Sequence, residues 1–177
     1  MKNKLNIGCG NDIKEGFVNL DIAQLPGVDV VCDIDKNPLP FESNTFEYII
    51  CYDILEHIDY PKVLKEIHRV LAVNGVVEIR VPHFTSSNNF IDPTHKKMFS
   101  FRTFNFFTNG ALNNREYYYD FHFKEVIDSK ITFINKNPVN WPFIILVNLN
   151  NTTRKIYEET FLRSIAPALN IEIKLLK

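Results

Sequence analysis

The sequence predicts an α/β fold built on a mostly parallel sheet, with one antiparallel strand near the C-terminus. Three observations carry this expectation. Short apolar runs at residues 5–7, 17–22, 28–32, 46–52 and 76–81 read as strands, with little charge inside them. Strands buried on both faces lose the usual alternation of apolar and polar side chains, and these runs look like that. Between the fourth and fifth runs lies one helical stripe, Val63, Leu64, Ile67, Val70 and Leu71, spaced for a single face of a helix. Strands followed by a helix and a further strand argue for a parallel sheet with covering helices.

The elements follow in order. The first strand stops at Gly8-Cys9-Gly10, and Pro38 and Pro40 mark a loop before the fourth. Asp59-Tyr60-Pro61 reads as a helix start, and Asn74-Gly75 reads as its left-handed exit. Pro82 closes the fifth strand. Residues 83–123 are aromatic, polar and rich in Asn, as expected of a substrate-facing insertion, with a short helix around 103–107. A strand at 130–134, a helix at 153–165 and a final strand at 171–176 complete the chain. The apolar run from Trp141 to Val147 reads either as a buried strand or as a homodimer contact.

Composition narrows the class. A chain of 177 residues suits one domain, since domains usually span roughly 100–200 residues. The formal net charge of -1 provides no basic field for a polyphosphate backbone, which argues against nucleic acid as a partner. Cys9, Cys32 and Cys51 are odd in number and lack C-x-x-C spacing, so they read as small apolar residues in a reducing compartment. No signal peptide is evident. The run at 141–147 falls far short of the ~20 residues of a membrane helix. The expectation is a cytoplasmic protein without a membrane partner.

The chemistry gathers at strand ends. Gly8-Cys9-Gly10 lets the backbone turn sharply and approach a ligand. Asp21 ends the second strand, eleven positions after Gly10, where a carboxylate can accept bonds from both hydroxyls of a ribose. Asp33 follows the third strand and could accept from an exocyclic adenine amine, with Ile34 against the purine face. Each alone reads equally as a turn glycine or a solvated acid. Together they share the carboxyl edge of one sheet, where open α/β sheets bind ligands. A nicotinamide cofactor also suits a G-x-G bend and a strand-two acid, but the third glycine of that fingerprint is replaced by Ile13.

This order resembles the class I S-adenosylmethionine-dependent methyltransferases, and more narrowly a small bacterial methyltransferase-domain branch. The resemblance rests on residues 5–10, on 16–21, on 39–41 with 44–47, on Leu55-Glu56-His57-Ile58, and on 64–71 with Asn74-Gly75. It implies a three-layer Rossmann-like sandwich in a single domain, 1–177. Residues 5–83 would form the cofactor-binding half, and 84–177 the substrate-facing insertion and C-terminal part. The implied cofactor is S-adenosyl-L-methionine, and the implied partner a small-molecule or saccharide acceptor. A non-catalytic S-adenosylmethionine-binding regulatory protein is the alternative. Gly8 and Gly10 would approach the methionine part, Asp21 would hold the ribose and Asp33 the adenine amine, with Cys9, Asn11, Ile22 and Ile34 as further cofactor-binding candidates. Tyr52 and Asp53 would line the methyl-donor pocket, and His57 would either lie near it or cap the helix.

Two departures from the family stand out. The family often carries an acid two residues before the first glycine, where this chain has Asn6. Only residues 11–16 separate the glycine turn from strand two, too few for a crossover with a full helix, which needs about 10–12. The first crossover helix is therefore expected to be shortened to a loop. For a protonated acceptor a base is required, and His83 and His95 are the candidates, with Asp92 placed to orient His95. A metal cluster of Asp92, His95 and His83 lacks an adjacent third strong ligand, so no metal is expected.

Overall fold

In the computed structural model, which describes residues 2–110, 114–134 and 140–177, seven strands form one sheet in the order β3-β2-β1-β4-β5-β7-β6. These are β1 (Lys4–Ile7), β2 (Val18–Asp21), β3 (Val30–Val31), β4 (Phe46–Tyr52), β5 (Leu71–Pro82), β6 (Glu125–Ile131) and β7 (Asn170–Leu176). Strands β1 to β5 pair in parallel, and β7 runs antiparallel to both β5 and β6. The expected α/β class, with one reversed strand near the C-terminus, is what the chain adopts. Residues 111–113 and 135–139 of the 84–177 half lie outside the described residues.

The two faces of the sheet differ. Register places Leu5, Ile7, Ile49, Cys51, Val77, Ile79, Val81, Ile171 and Ile173 on one face, each 0–1% exposed. Burial of each such aliphatic side chain contributes roughly 1.5–3 kcal/mol before chain entropy. Helix α1 (Tyr60–Val70) inserts Val63, Leu64, Ile67 and Val70 into this core. Lys4, Tyr48, Tyr52, Glu78, Arg80, Glu172 and Lys174 share the opposite face and stay partly solvated. The expectation of strands buried on both faces therefore holds for the Ile49-Ile50-Cys51 run of β4, while β5 and β7 alternate.

The first crossover has no helix: residues 8–17 hold only turns. Side-chain amides take the place of helical hydrogen bonds. Asn6 Nδ2 donates to Asp12 O (2.9 Å) and to Asn19 Oδ1 (3.1 Å), Asn19 Oδ1 accepts from Lys14 N (2.9 Å), and Asn19 Nδ2 donates to Lys14 O (3.1 Å). Both asparagines are buried. The amide at position 6 thus anchors the shortened loop.

Other boundaries moved for identifiable reasons. Helix α1 ends at Val70 because Leu71 is already extended and pairs with Phe46 in β5. Asn74 is left-handed, with φ 61°, but it serves the irregular stretch between the Leu71–Phe46 and Val76–Tyr48 pairs rather than the helix end. Strand β6 begins at Glu125, ahead of the expected 130, because its first residues are the charged ones that suit an exposed edge. The helix expected over 153–165 is α4 (Asn151–Glu159) and α5 (Leu162–Ile165), split at the extended Thr160. Residues 141–146 form a helix, α3 (Trp141–Leu146), and not a strand, with Trp141, Ile145 and Leu146 exposed. A 3-10 helix does cover Thr103–Phe107, and short α2 spans Asn88–Ile91. Phe99, Phe101, Phe104, Phe107, Phe121 and Phe123 of the insertion are buried as core. No helix of the described residues is long and apolar enough to cross a membrane.

Asn19→Ala strands the Asn6 amide and two Lys14 backbone groups. The expected cost is about 1–3 kcal/mol, measured as a lowered urea midpoint at unchanged slope.

Candidate active site

The carboxyl ends of β1, β2 and β3 open onto one cavity of about 240 Å³, lined by Gly8, Leu20, Asp21, Ile22, Cys32, Asp33, Ile34, Asp35, Ile54, His57 and Ile58. Its walls are largely aliphatic, with carboxylates on the rim. Gly8 has φ 65°, and a Cβ added there would lie 2.1 Å from Ile54 Cδ1, so the position needs glycine for both conformation and space. Asp21 ties the bend to β2: its Oδ2 accepts from Gly10 N (2.7 Å) and its Oδ1 from Ala23 N (2.9 Å). Asp33 accepts from Lys36 Nζ (2.8 Å), which holds its carboxyl below the usual carboxylate range.

A second cavity, about 360 Å³, adjoins the first and is polar. Asp53, Glu56, His57, Pro82, Asn88, Ile91, Asp92, His95 and Asn170 line it. Among the described residues, His57 is the one that lines both cavities. Its ring meets the His95 ring edge-on, with centroids 4.6 Å apart. Burial, then the neighbouring His95, pushes the His57 pKa down. Glu56 is fully buried at this floor and neither carboxyl oxygen has a hydrogen-bond partner among the described residues. Its nearest charged neighbours are His95, Asp53, Arg80 and Asp92. Burial raises its pKa to about 7. A wider hollow of about 490 Å³ runs beside β6, but neither the glycine bend nor the two acids reach it.

The residues singled out from sequence divide. Gly8, Asp21, Ile22, Asp33, Ile34 and His57 meet in the first cavity; Asp53, His57 and His95 meet in the second. Cys9 is buried, with its thiol pKa raised by burial, and Gly10 and Asn11 continue the bend without lining either cavity. Tyr52 lies elsewhere: it is on the solvated sheet face, hydrogen-bonded to Glu78 with Arg80 over its ring (4.6 Å). Residue 52 falls in the alternation that points away from the core, so its ring cannot turn into the cleft. His83 is also elsewhere. It is 0% exposed, with Nδ1 on Thr85 Oγ1 (2.8 Å) and Nε2 on Glu158 Oε1 (3.0 Å). One ring nitrogen is spent on Thr85 and the other ties the segment after β5 to Glu158 of α4, which removes it from contact with an acceptor. Sequence reasoning missed Ile54 and Glu56. Glu56 stood inside a quoted motif, but nothing local tells a buried acid from a surface one.

The comparisons agree with this geometry. Residues 4–79 match the family model of a methyltransferase domain. An uncharacterised protein of Methanocaldococcus jannaschii is 49% identical over 37 residues, which span 21% of this chain and 16% of that one. Among solved structures, a SAM-dependent methyltransferase from Archaeoglobus fulgidus aligns with TM-score 0.63 at 21% identity, covering 98% of this chain and 85% of that one. An S-adenosylmethionine-dependent methyltransferase from Mesorhizobium loti gives TM-score 0.55 at 10% identity, over 99% and 90%. At these identities the structural likenesses speak for the fold alone. Residues 4–79 thus resemble a methyltransferase domain, and the described chain has the fold of the solved S-adenosylmethionine-dependent methyltransferases.

Two outcomes test the geometry. Gly8→Ala forces Ile54 out of its place in the cavity wall and strains a positive φ, and is expected to cost about 1–3 kcal/mol in denaturant unfolding. Glu56 binds its proton more tightly folded than unfolded, so its contribution favours folding at low pH. Stability should fall as pH rises from the model-compound value of 4.5 to about 7, by on the order of 3 kcal/mol or less. Glu56→Gln should flatten that slope in melts recorded across this range.

Proposed function

We propose that the protein transfers the methyl group of S-adenosylmethionine to a small polar acceptor, with a saccharide or other polyhydroxylated molecule as the favoured class. The observation that supports this reading is a pair of cavities that share His57 in their walls. One is apolar with carboxylates at its rim; the other is polar and open. The first fits the nucleoside end of the cofactor. Its aliphatic walls suit a purine, Asp21 can accept from ribose hydroxyls, and Asp33 can accept from an exocyclic amine. The tight space at Gly8 lets backbone approach where a side chain could not. In this reading Gly8, Cys9, Gly10 and Asn11 face the methionine part, Ile22 and Ile34 face the ring system, and Asp53 and His57 flank the reacting end.

When bound, the cofactor supplies an electrophilic methyl group on a sulfonium. The chain's own contribution is alignment, since a near-attack arrangement needs reacting atoms roughly 3–3.5 Å apart. Asp53, Asn88, Asp92 and Asn170 offer acceptors and donors for several acceptor hydroxyls. In a site without a bound ion, His95, with Asp92 Oδ2 3.8 Å from its Nε2, is positioned to take the proton a hydroxyl must lose. Three unpaired cysteines are compatible with a reducing, cytoplasmic setting for this activity.

Calorimetry with S-adenosylhomocysteine against NAD tests the cofactor reading. Binding of the first and not the second is expected, and Asp21→Ala should weaken it at least tenfold. Labelled methyl from S-adenosylmethionine should then appear in a polar metabolite. His95→Gln should lower kcat by about 10²–10⁴. Binding without any labelled product from a broad metabolite pool would point instead to a regulatory binder.

A further inference from the structure

The geometry points to a binding site for one divalent transition-metal ion of the zinc type, formed by Glu56, His57 and His95 at the floor of the polar cavity, with Asp92 beside it. One ligand atom from each of the three lies within 4.8 Å of the others. The contacts between them are too long for hydrogen bonds: His95 Nε2 stands 4.0 Å from Glu56 Oε1 and 3.8 Å from Asp92 Oδ2. In a tetrahedral site with bonds of 2.0–2.2 Å, neighbouring ligand atoms lie roughly 3.3–3.6 Å apart. With separations of up to 4.8 Å, side-chain shifts of about an ångström close the set.

The second observation is what these atoms lack. Glu56 is 0% exposed, yet both of its carboxyl oxygens, and Nδ1 of His95, have no hydrogen-bond partner among the described residues. A buried carboxylate left alone is costly, by several kcal/mol. The nearby cation cannot relieve it, because Arg80 is committed to Asp53 through Nε (3.0 Å). A doubly charged ion held by the carboxylate and two imidazoles would.

The third observation concerns His57. Thr94 has one hydroxyl hydrogen, and Thr94 Oγ1 donates it to Asp92 Oδ1 (2.6 Å). Toward His57 Nδ1, at 2.8 Å, the same oxygen can therefore only accept. The proton of the neutral ring sits on Nδ1, and Nε2 keeps its lone pair. This is how outer partners prepare a histidine ligand, through the nitrogen that does not bind. Asp92 Oδ1 also accepts from Thr94 N (2.8 Å), which leaves Oδ2 free as a fourth ligand or an orienting partner for His95. Two imidazoles and a carboxylate select borderline transition ions over Mg²⁺ or Ca²⁺, which prefer all-oxygen sets. Three protein ligands also leave one position open to the cavity, as in metal sites that take a water or substrate oxygen.

The sequence offered Asp92 and His95, with His83 distant in the chain and no third ligand adjacent. The fold removes His83 and supplies Glu56 and His57 from the segment after β4.

The test is a titration of chelator-stripped full-length protein with Zn²⁺ by calorimetry, and with Co²⁺ by visible absorption. One equivalent should bind, and the Co²⁺ spectrum should show ligand-field bands without a thiolate charge-transfer band. Glu56→Gln and His95→Gln should each weaken binding at least tenfold. The glutamine at 56 is isosteric and removes a buried charge, so this variant keeps the fold. No saturable binding, or equal binding by wild type and both variants, overturns the site. S-adenosylhomocysteine is titrated separately into the same samples. Its failure to bind would count against the methyl-transfer reading and leave the metal result standing.

Discussion

Asp21 joins the two halves of the cleft floor. Its carboxylate accepts the Gly10 amide at 2.7 Å and the Ala23 amide at 2.9 Å, so the end of β2 holds the bend that follows β1. Charge-assisted bonds of this kind are stronger than neutral ones. They matter here because no helix stands behind the bend to orient its amides. Residues 8–17 are turns, and the Asn6–Asn19 amide pair anchors them from below. A fold of this class ordinarily has a helix dipole at this position. This chain has a carboxylate and two buried amides.

The two faces of the sheet are unequal. No helix precedes α1 among the described residues, and the face opposite the core carries polar residues of β4, β5 and β7: Tyr48, Tyr52, Glu78, Arg80 and Lys174. They satisfy one another, with Glu78 accepting from both tyrosines and pairing with Lys174 at 3.1 Å. The other face carries the core and receives α1 and the aromatic insertion. Tyr52 belongs to the first face by strand alternation, which is why a residue one position from Asp53 does not share its cavity.

His57 lines both a mainly apolar cavity and a polar one. Its place comes from the short turn between β4 and α1, which begins at the left-handed Asp53 (φ 55°) and places Asp53, Ile54, Glu56 and His57 around the cavity walls. The insertion returns to this turn: the Lys96 amide donates to Glu56 O at 2.8 Å, bringing His95 against His57. Two segments far apart in sequence thus form a common floor.

Much of this was legible in the chain. The strand runs, the stripe of α1, the glycine bend and the acids after β2 and β3 are local patterns, because periodicity and turn chemistry act over a few residues. The six residues of the first crossover dictated its missing helix by length alone. What only the tertiary structure decided was burial and partnership between distant segments. His83 and His95 look alike in sequence; one is spent on Glu158 of α4, and the other faces a cavity. Glu56 looks like any helix-flanking acid until the returning insertion seals it from water. Desolvation depends on what the rest of the chain brings to a residue, and no window along the sequence contains that information.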